Sequence, residues 1–447
     1  MQNQPSRRSA ASWVVYDVAN SAFPLVMITA VFVIYFKNVI VGGDNPGWSD
    51  FLWGMSISIS AGLVALISPI VGAFADVYGA RKRILLVYTI LSVVAVFTLS
   101  FAQPGMIAFA MCAFILENAG YEGGVVMYGS LLPFVTTRER IGRLSGIGWS
   151  AGYIGGLICL LLTLGLAMNN QVPMVLRAVS LWFAFFSIPL FLWVPEAPAN
   201  PDAEKRPFRS LVATLKEIWR TPSLRLFFIA YFIYNDAIVT VFAFSSPFAI
   251  DVLGFTMPQI IKMVIGVQIT AAIGAFGFGL IADRLGHGKT IVLTLGIWVA
   301  VTACAFVTAL ELPIWANAAA LALAEAQAAA LAAGEAIPEA VPSPLRQLIY
   351  FTLAQLIGFS MGATQSCSRA FLAAVAPSDQ SGRLFGFFAI AGRFSAVVGP
   401  ALFGVVSLWT GSKAWSVLTI VLLFALGMFL MTRVTEDKVR DELASWK

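Results

Sequence analysis

The sequence predicts an all-α integral membrane protein, with twelve transmembrane helices arranged as two pseudo-symmetric six-helix bundles. Three observations carry this. The 447 residues are 59% hydrophobic and only 11% charged, against roughly 25% charged in a soluble domain. Twelve apolar runs are each long enough to cross a bilayer, which takes about 20 residues as a helix. Two short motifs then recur, in the same order, in the first and second halves of the chain. A soluble core could not hide this much apolar surface. The long unbroken runs exclude a β-barrel, whose strands are short and alternating.

In chain order the runs are 13–41, 51–75, 83–103, 106–134, 144–167 and 172–195, then 224–249, 258–282, 289–310, 347–375, 384–408 and 413–433. They are called spans 1 to 12 below. Most of the 28 Lys and Arg residues fall in alternate connections, among them Arg7, Arg8, the run Arg81-Lys82-Arg83, Arg138, Arg140, Arg143, Arg284, Lys289 and Arg383. Positive charge stays inside, so both termini are expected in the cytoplasm. The net charge of +5 then reflects topology and gives no reason to expect nucleic acid. No small-residue cleavage pattern follows the first run, so it is expected to remain as a span. A compact chain without targeting signals points to a bacterial cytoplasmic membrane.

The polar segment 196–223 separates the halves. It opens with Glu196 between two prolines, then becomes basic and amphipathic over 208–219, the pattern of a helix lying in the membrane interface. The expected organisation is a first bundle (1–195), a linker (196–223), a second bundle (224–433) and a tail (434–447). Residues 72–79, Gly-Ala-Phe-Ala-Asp-Val-Tyr-Gly, recur as 279–286, Gly-Leu-Ile-Ala-Asp-Arg-Leu-Gly. Gly142-Arg143-Leu144 recurs as Gly382-Arg383-Leu384. The interval between the motifs is longer in the second half, which places an insertion at 311–346. Its Ala-rich part, 315–333, reads as a helix, and Glu325, Glu335 and Glu339 keep the segment out of the bilayer. It is expected to be an insertion without a function of its own. Two similar bundles of six helices suit a transporter that rocks about a site at their interface.

These residues also carry a resemblance. Segments 72–83 and 279–289 resemble the inner-loop signature of the major facilitator superfamily, although Val77 stands where the first copy usually has a basic residue. Residues 16–23 (Tyr-Asp-Val-Ala-Asn-Ser-Ala-Phe), 231–236 (Tyr-Phe-Ile-Tyr-Asn-Asp) and 142–149 (Gly-Arg-Leu-Ser-Gly-Ile-Gly-Trp) resemble the branch containing the vacuolar amino-acid effluxer linked to autophagy and its bacterial homologues. The likeness covers nearly the whole chain except the Ala-rich loop. It implies that spans 1, 4, 7 and 10 line a central cavity and that spans 3, 6, 9 and 12 lie outside. It also implies a conformational latch at Asp76 and Asp283, with Arg81, Arg83 and Arg284. A carboxylate at an inner helix end is suited to holding a neighbouring helix N-terminus or an arginine.

Ionisable residues at membrane depth are costly and mark functional positions. Here they are Asp17 in span 1, Glu117 and Glu122 in span 4, Asp236 in span 7, Arg369 in span 10 and Arg393 in span 11. Spans 3, 9 and 12 have none in their interiors. Glu117 shares a helical face with Tyr121, and the two glutamates lie roughly 140° apart, so they do not form one paired-acid site. The candidates for binding solute or a coupling proton are Asp17, Asn20, Glu117, Tyr121, Glu122, Asn235, Asp236, Gln365 and Arg369. A carboxyl in a cavity of low polarity carries a proton readily, and arginine receives carboxylates in bidentate fashion. The opposing reading pairs the acids with Arg369 and Arg393 as structural ties, Glu122 being the suggested partner of Arg369. The glycine stripe 148–156 of span 5 reads as close helix packing.

Enzyme chemistry finds no support. Residues 285–290 end like a phosphate loop but lack its first glycine and its strand. Cys112, Cys159, Cys304 and Cys367 sit in apolar runs, and the one histidine, His287, leaves no metal set. No cofactor or metal is expected, and the chain is expected to act as a monomer. The function that emerges is secondary active transport of a small polar or amphipathic solute by alternating access, coupled to protons, with amino-acid-like solutes favoured by the resemblance. The alternatives are efflux of larger amphipathic compounds or drugs, and a non-transporting sensor on the same scaffold. Span 5 lacks the Gly-Pro motif of drug/proton antiporters, which weakens the drug reading.

Overall fold

The computed structural model describes residues 6–42, 46–199, 207–310, 312–333, 343–394 and 398–444. Among these there is no strand. Spans 2 to 6 are the helices Pro46–Tyr78, Arg81–Leu99, Ile107–Ser130, Ile141–Met168 and Val172–Trp193. Spans 7 to 10 are Pro222–Leu253, Met257–Leu285, His287–Ala309 and Pro344–Val375. Span 11 comes as Ser381–Phe394 and Val398–Thr410, and span 12 as Lys413–Met431. Three further helices lie outside this set: a linker helix Pro207–Arg220, an outer-loop helix Pro313–Ala333 and a tail helix Glu436–Ala444. The outer-loop helix begins two residues before its predicted start and packs against span 10.

Span 1 is less regular than its sequence suggests. Its α-helix, Arg7–Phe23, passes into a wider π-helical stretch at Pro24–Ala30 and again at Phe36–Ile40. Pro24 has no N–H to give, and the next turn closes from Val31 N to Val26 O at 2.8 Å, five residues back. Widened turns of this kind often border functional sites.

Among the described residues, nine stretches are long and apolar enough to cross a membrane by length and composition. Spans 4, 10 and 11 are not in that set. Span 4 carries Glu117 and Glu122, span 10 carries Gln365 and Arg369, and span 11 includes residues 395–397, which lie outside the described residues. Apolar side chains point outward on the supporting helices: Val87, Ile90 and Val94 on span 3, and Leu181, Phe185 and Leu192 on span 6 are exposed. In water such belts would be a liability; in a bilayer they are its contact surface. The bundles meet along two helix pairs, span 2 with span 11 and span 5 with span 8.

Candidate functional site

A cavity of about 560 Å³ lies between the bundles. Small-molecule sites run from about 300 to 1,000 Å³. Its wall draws on spans 1, 4, 5, 7, 8, 10 and 11, and among the described residues it takes nothing from spans 3, 6, 9 or 12. The cavity floor is a buried ion pair that joins the bundles. Arg369, from span 10, places Nη1 and Nη2 each 3.1 Å from Asp17 Oδ2 of span 1. Its Nε donates to Ser145 Oγ at 3.0 Å, and Nη2 donates to the Ser145 carbonyl at 2.9 Å. The guanidinium also faces the rings of Trp13, Trp149 and Tyr128, with centroids 4.8, 5.2 and 5.5 Å away. Such a pair survives burial because every donor has a partner and the surrounding faces are electron-rich.

Local sequence explains how the pair fits. Gly148 lies on span 5 beside it, and a Cβ there would come within 2.8 Å of Trp13 and 3.0 Å of Arg369 Nη2. This part of the glycine stripe therefore makes room for the ion pair as well as for helix packing. Above the floor, Tyr153 donates to Gln365 across the bundles. Two buried polar atoms on the wall have no hydrogen-bond partner among the described residues: the acceptor Asn20 Oδ1 and the donor Trp149 Nε1. Orphaned atoms of this kind need a partner when water is excluded.

The candidate residues divide into two groups. Asp17, Asn20, Tyr121, Glu122, Asn235, Gln365 and Arg369 all line the cavity. Glu117 and Asp236, the other two candidates, are not on the wall. Glu117 is fully buried inside the first bundle, and neither carboxyl oxygen has a hydrogen-bond partner among the described residues. It lies one turn from Tyr121, whose ring packs against Phe23 at 4.7 Å and occupies the wall at that level. Asp236 turns toward span 11, where a Cβ on Gly399 would sit 3.0 Å from its Oδ2. The partner of Arg369 is Asp17 rather than Glu122. The side chain of Arg393 lies outside the described residues.

The inner end, where the 72–83 and 279–289 segments lie, is closed by two matching clamps. Asp76, at the foot of span 2, accepts from the amides of Gly382 (2.8 Å) and Arg383 (2.9 Å) at the start of span 11. Asp283, at the foot of span 8, accepts from Gly142 (2.7 Å) and Arg143 (2.9 Å) at the start of span 5. Each clamp crosses from one bundle to the other. The Gly-Arg-Leu motif, whose recurrence carried no role in the sequence, is thus the receiving half of the signature. Glycine is needed because the carboxylate comes so close: a Cβ on Gly142 would sit 2.6 Å from Asp283 Oδ1. Arg81 joins the first clamp, with Nη2 2.5 Å from Asp76 Oδ1. Arg83 and Arg284 do not join the clamps as expected. Arg83 is largely exposed, with Nε 3.9 Å from Glu196, and Arg284 is exposed.

Two bundles around a central cavity, closed at one end by paired signature segments, define a membrane transporter of the major facilitator fold. Solved structures agree. The human organic anion transporter MFSD10 (TETRAN) aligns with a TM-score of 0.71 at 16% identity, covering 96% of this chain and all of that one. The proton:xylose symporter XylE aligns with a TM-score of 0.67 at 13% identity, covering 98% of each chain. These likenesses show the fold. The chain belongs to the family described as "Vacuole effluxer Atg22 like", whose family model matches residues 52–319 and 345–444 and passes over most of the outer-loop helix. An uncharacterized MFS-type transporter of Bacillus subtilis, YxiO, is 27% identical over 96% of this chain and 95% of its own length. Autophagy-related protein 22 of Yarrowia lipolytica is 22% identical over 73% of this chain, and the match spans 56% of that relative. The chain is a multi-pass secondary transporter and not an enzyme.

Proposed function

We propose that this transporter moves a small, amino-acid-like polar or amphipathic solute in a proton-coupled cycle of alternating access. The supporting observation is the Asp17–Arg369 pair on the cavity floor, one partner from each bundle. A solute carboxylate competes with Asp17 for the guanidinium, and a solute ammonium takes the vacated place beside Asp17 or Glu122. Partner is exchanged for partner, so no buried charge is left bare. The same exchange cuts a tie between the bundles. A ligand shifts a conformational equilibrium only through a difference in affinity between its states, and losing a cross-bundle bond supplies one. Asn20 Oδ1 and Trp149 Nε1 offer further hydrogen bonds to the guest. The coupling proton rides on a carboxyl that the cavity reaches, Glu122 foremost; Glu117 and Asp236 are cut off from it in this conformation.

In this reading the inner clamps are conformational latches that hold the inward gate shut, the basic end faces the cytoplasm of a bacterial inner membrane, and the working unit is a monomer. The apolar stretch of wall from Phe242, Met263, Val264 and Ile357 favours solutes with an apolar side chain, and it keeps efflux of larger amphipathic compounds as the second reading. A thermal-shift screen of amino acids, peptides, sugars and organic anions on purified protein tests the assignment, because a binder stabilises the folded state. Binders bearing both a carboxylate and an ammonium, whose shift disappears in Arg369→Gln, are expected. A set of hits without carboxylates, unaffected by Arg369→Gln, would overturn it.

A further inference from the structure

The linker helix Pro207–Arg220 has three faces with different chemistry. Thr214 and Ile218 are buried against the protein, and the helix packs on the foot of span 2. Val212, Leu215 and Trp219 are 55%, 54% and 63% exposed. At about 100° per residue they form one stripe centred about 110° from the packed face. Lys216 and Arg220, both exposed, border that stripe. Arg225 adds a third cation, its guanidinium 5.4 Å from the Trp219 ring and its Nη1 donating to the Trp219 carbonyl at 2.9 Å. An unpacked apolar stripe edged with cations fits a leaflet of acyl chains under anionic headgroups.

The packed face reaches the first inner clamp through one residue. Arg383 Nη1 donates to Thr214 Oγ1 at 3.3 Å, and its Nη2 lies 3.2 Å from Glu217 Oε2 and 2.7 Å from Gln380 Oε1. The backbone amide of the same Arg383 is one of the two donors to Asp76. The linker helix therefore holds the side chain of a residue whose backbone amide belongs to the first clamp.

We propose that this helix is a docking surface for anionic phospholipid headgroups of the leaflet at the inner end, and that lipid bound there strengthens the Asp76 clamp through Arg383. The lipid acts on the closed state because the contacts from Thr214 and Glu217 to Arg383 exist only while span 11 is seated on Asp76. Opening the inner end draws Arg383 away from them.

The test uses the full chain in vesicles of phosphatidylcholine alone or phosphatidylcholine with phosphatidylglycerol. Hydrogen exchange of the peptide holding the Gly382 and Arg383 amides reads the clamp without needing the solute. Exchange is expected to slow several-fold when the anionic lipid is present. The effect should fade with added salt. Each cation near an anionic surface contributes roughly fivefold in binding, so Lys216→Gln with Arg220→Gln should remove most of the lipid effect. Both residues are exposed, so the double variant keeps its fold. Leu215→Ser with Trp219→Ser should speed exchange in both lipids, since the apolar seat is lost whatever the headgroup. Exchange that is equal in the two lipids, or a lipid effect that survives Lys216→Gln with Arg220→Gln, would overturn the proposal.

Discussion

The two inner clamps use the same amide fork and differ in the cation behind it. Asp76 is 2% exposed and Arg81 is fully buried beside it, over the Phe134 ring at 4.9 Å and donating to the Ser378 carbonyl at 3.1 Å. That charge is permanent, since arginine is not deprotonated in proteins. Asp283 is more open, and the basic side chain nearest it on its own helix pair is the His287 ring, 3.8 Å away. His287 is shared with Glu436 of the tail helix at 3.3 Å. Glu436 also accepts from the Gly288 amide at 3.1 Å, and Glu442 accepts from Ser223 N and Oγ at 2.9 and 2.8 Å. The tail helix thus straps the feet of spans 7 and 9. One clamp is a fixed buried ion pair, and the other is more open, sharing the His287 ring with the tail.

This difference sets the order of expected effects. The largest belongs to the fixed clamp. Arg81→Gln leaves a buried carboxylate without its cation, and Asp76→Asn strands the guanidinium, so each should cost about 3–5 kcal/mol in thermal unfolding. Asp283→Asn should cost about 1 kcal/mol, since its surroundings are wetter and one amide acceptor remains. Equal losses at Asp76 and Asp283 would erase the distinction between the clamps.

Next comes the tail. Burial alone would raise the Glu436 carboxyl, but the His287 hydrogen bond and charge, with the Gly288 and His287 amides, outweigh it and hold the carboxyl below its ordinary value of 4.5. A carboxyl lowered by folding contributes stability above its unfolded value and loses it as pH falls through the lowered one. Docking of the tail helix, followed by limited proteolysis, should therefore hold at neutral pH and weaken as pH drops below the ordinary glutamate range. Glu436→Gln should cost roughly 1 kcal/mol at neutral pH and flatten that acid limb. An acid limb that persists in Glu436→Gln would assign it elsewhere. The smallest effects are expected at Arg83→Gln and Arg284→Gln, within about 0.5 kcal/mol, because neither side chain stands in a clamp.

Much of this was legible in the sequence. Helix positions follow from long apolar runs, and the predicted span ends fall within about six residues of the observed ones, span 1 starting at Arg7 rather than at 13. The charge census placed ionisable residues on spans 1, 4, 7, 10 and 11, and the seven candidates on the wall all come from spans 1, 4, 7 and 10. Helical spacing put Glu117 and Glu122 on different faces, and the structure has one in the bundle and the other on the wall. What spacing cannot supply is the long-range partner. Arg369 and Asp17 are separated by 352 residues, and nothing local tells an arginine which of several acids it will meet. The same limit hid the receiving ends of the clamps, although the recurrence of Gly142-Arg143 and Gly382-Arg383 was itself the signal. A third recurrence went unused: Val194-Pro195-Glu196 follows span 6 and Val434-Thr435-Glu436 follows span 12. Each glutamate caps the third helix of its half, Glu196 at the Lys82 amide (2.7 Å) and Glu436 at the Gly288 amide.

The central claim is that solute enters by exchanging partners with the Asp17–Arg369 pair and that a cavity carboxyl carries the proton. Flux in proteoliposomes under an imposed pH gradient, using the solute identified by thermal shift, tests it most directly. The account predicts gradient-driven accumulation by the unaltered protein, its loss in Arg369→Gln and Asp17→Asn, and solute exchange without pH dependence in Glu122→Gln. Full gradient-driven accumulation by Arg369→Gln would contradict it.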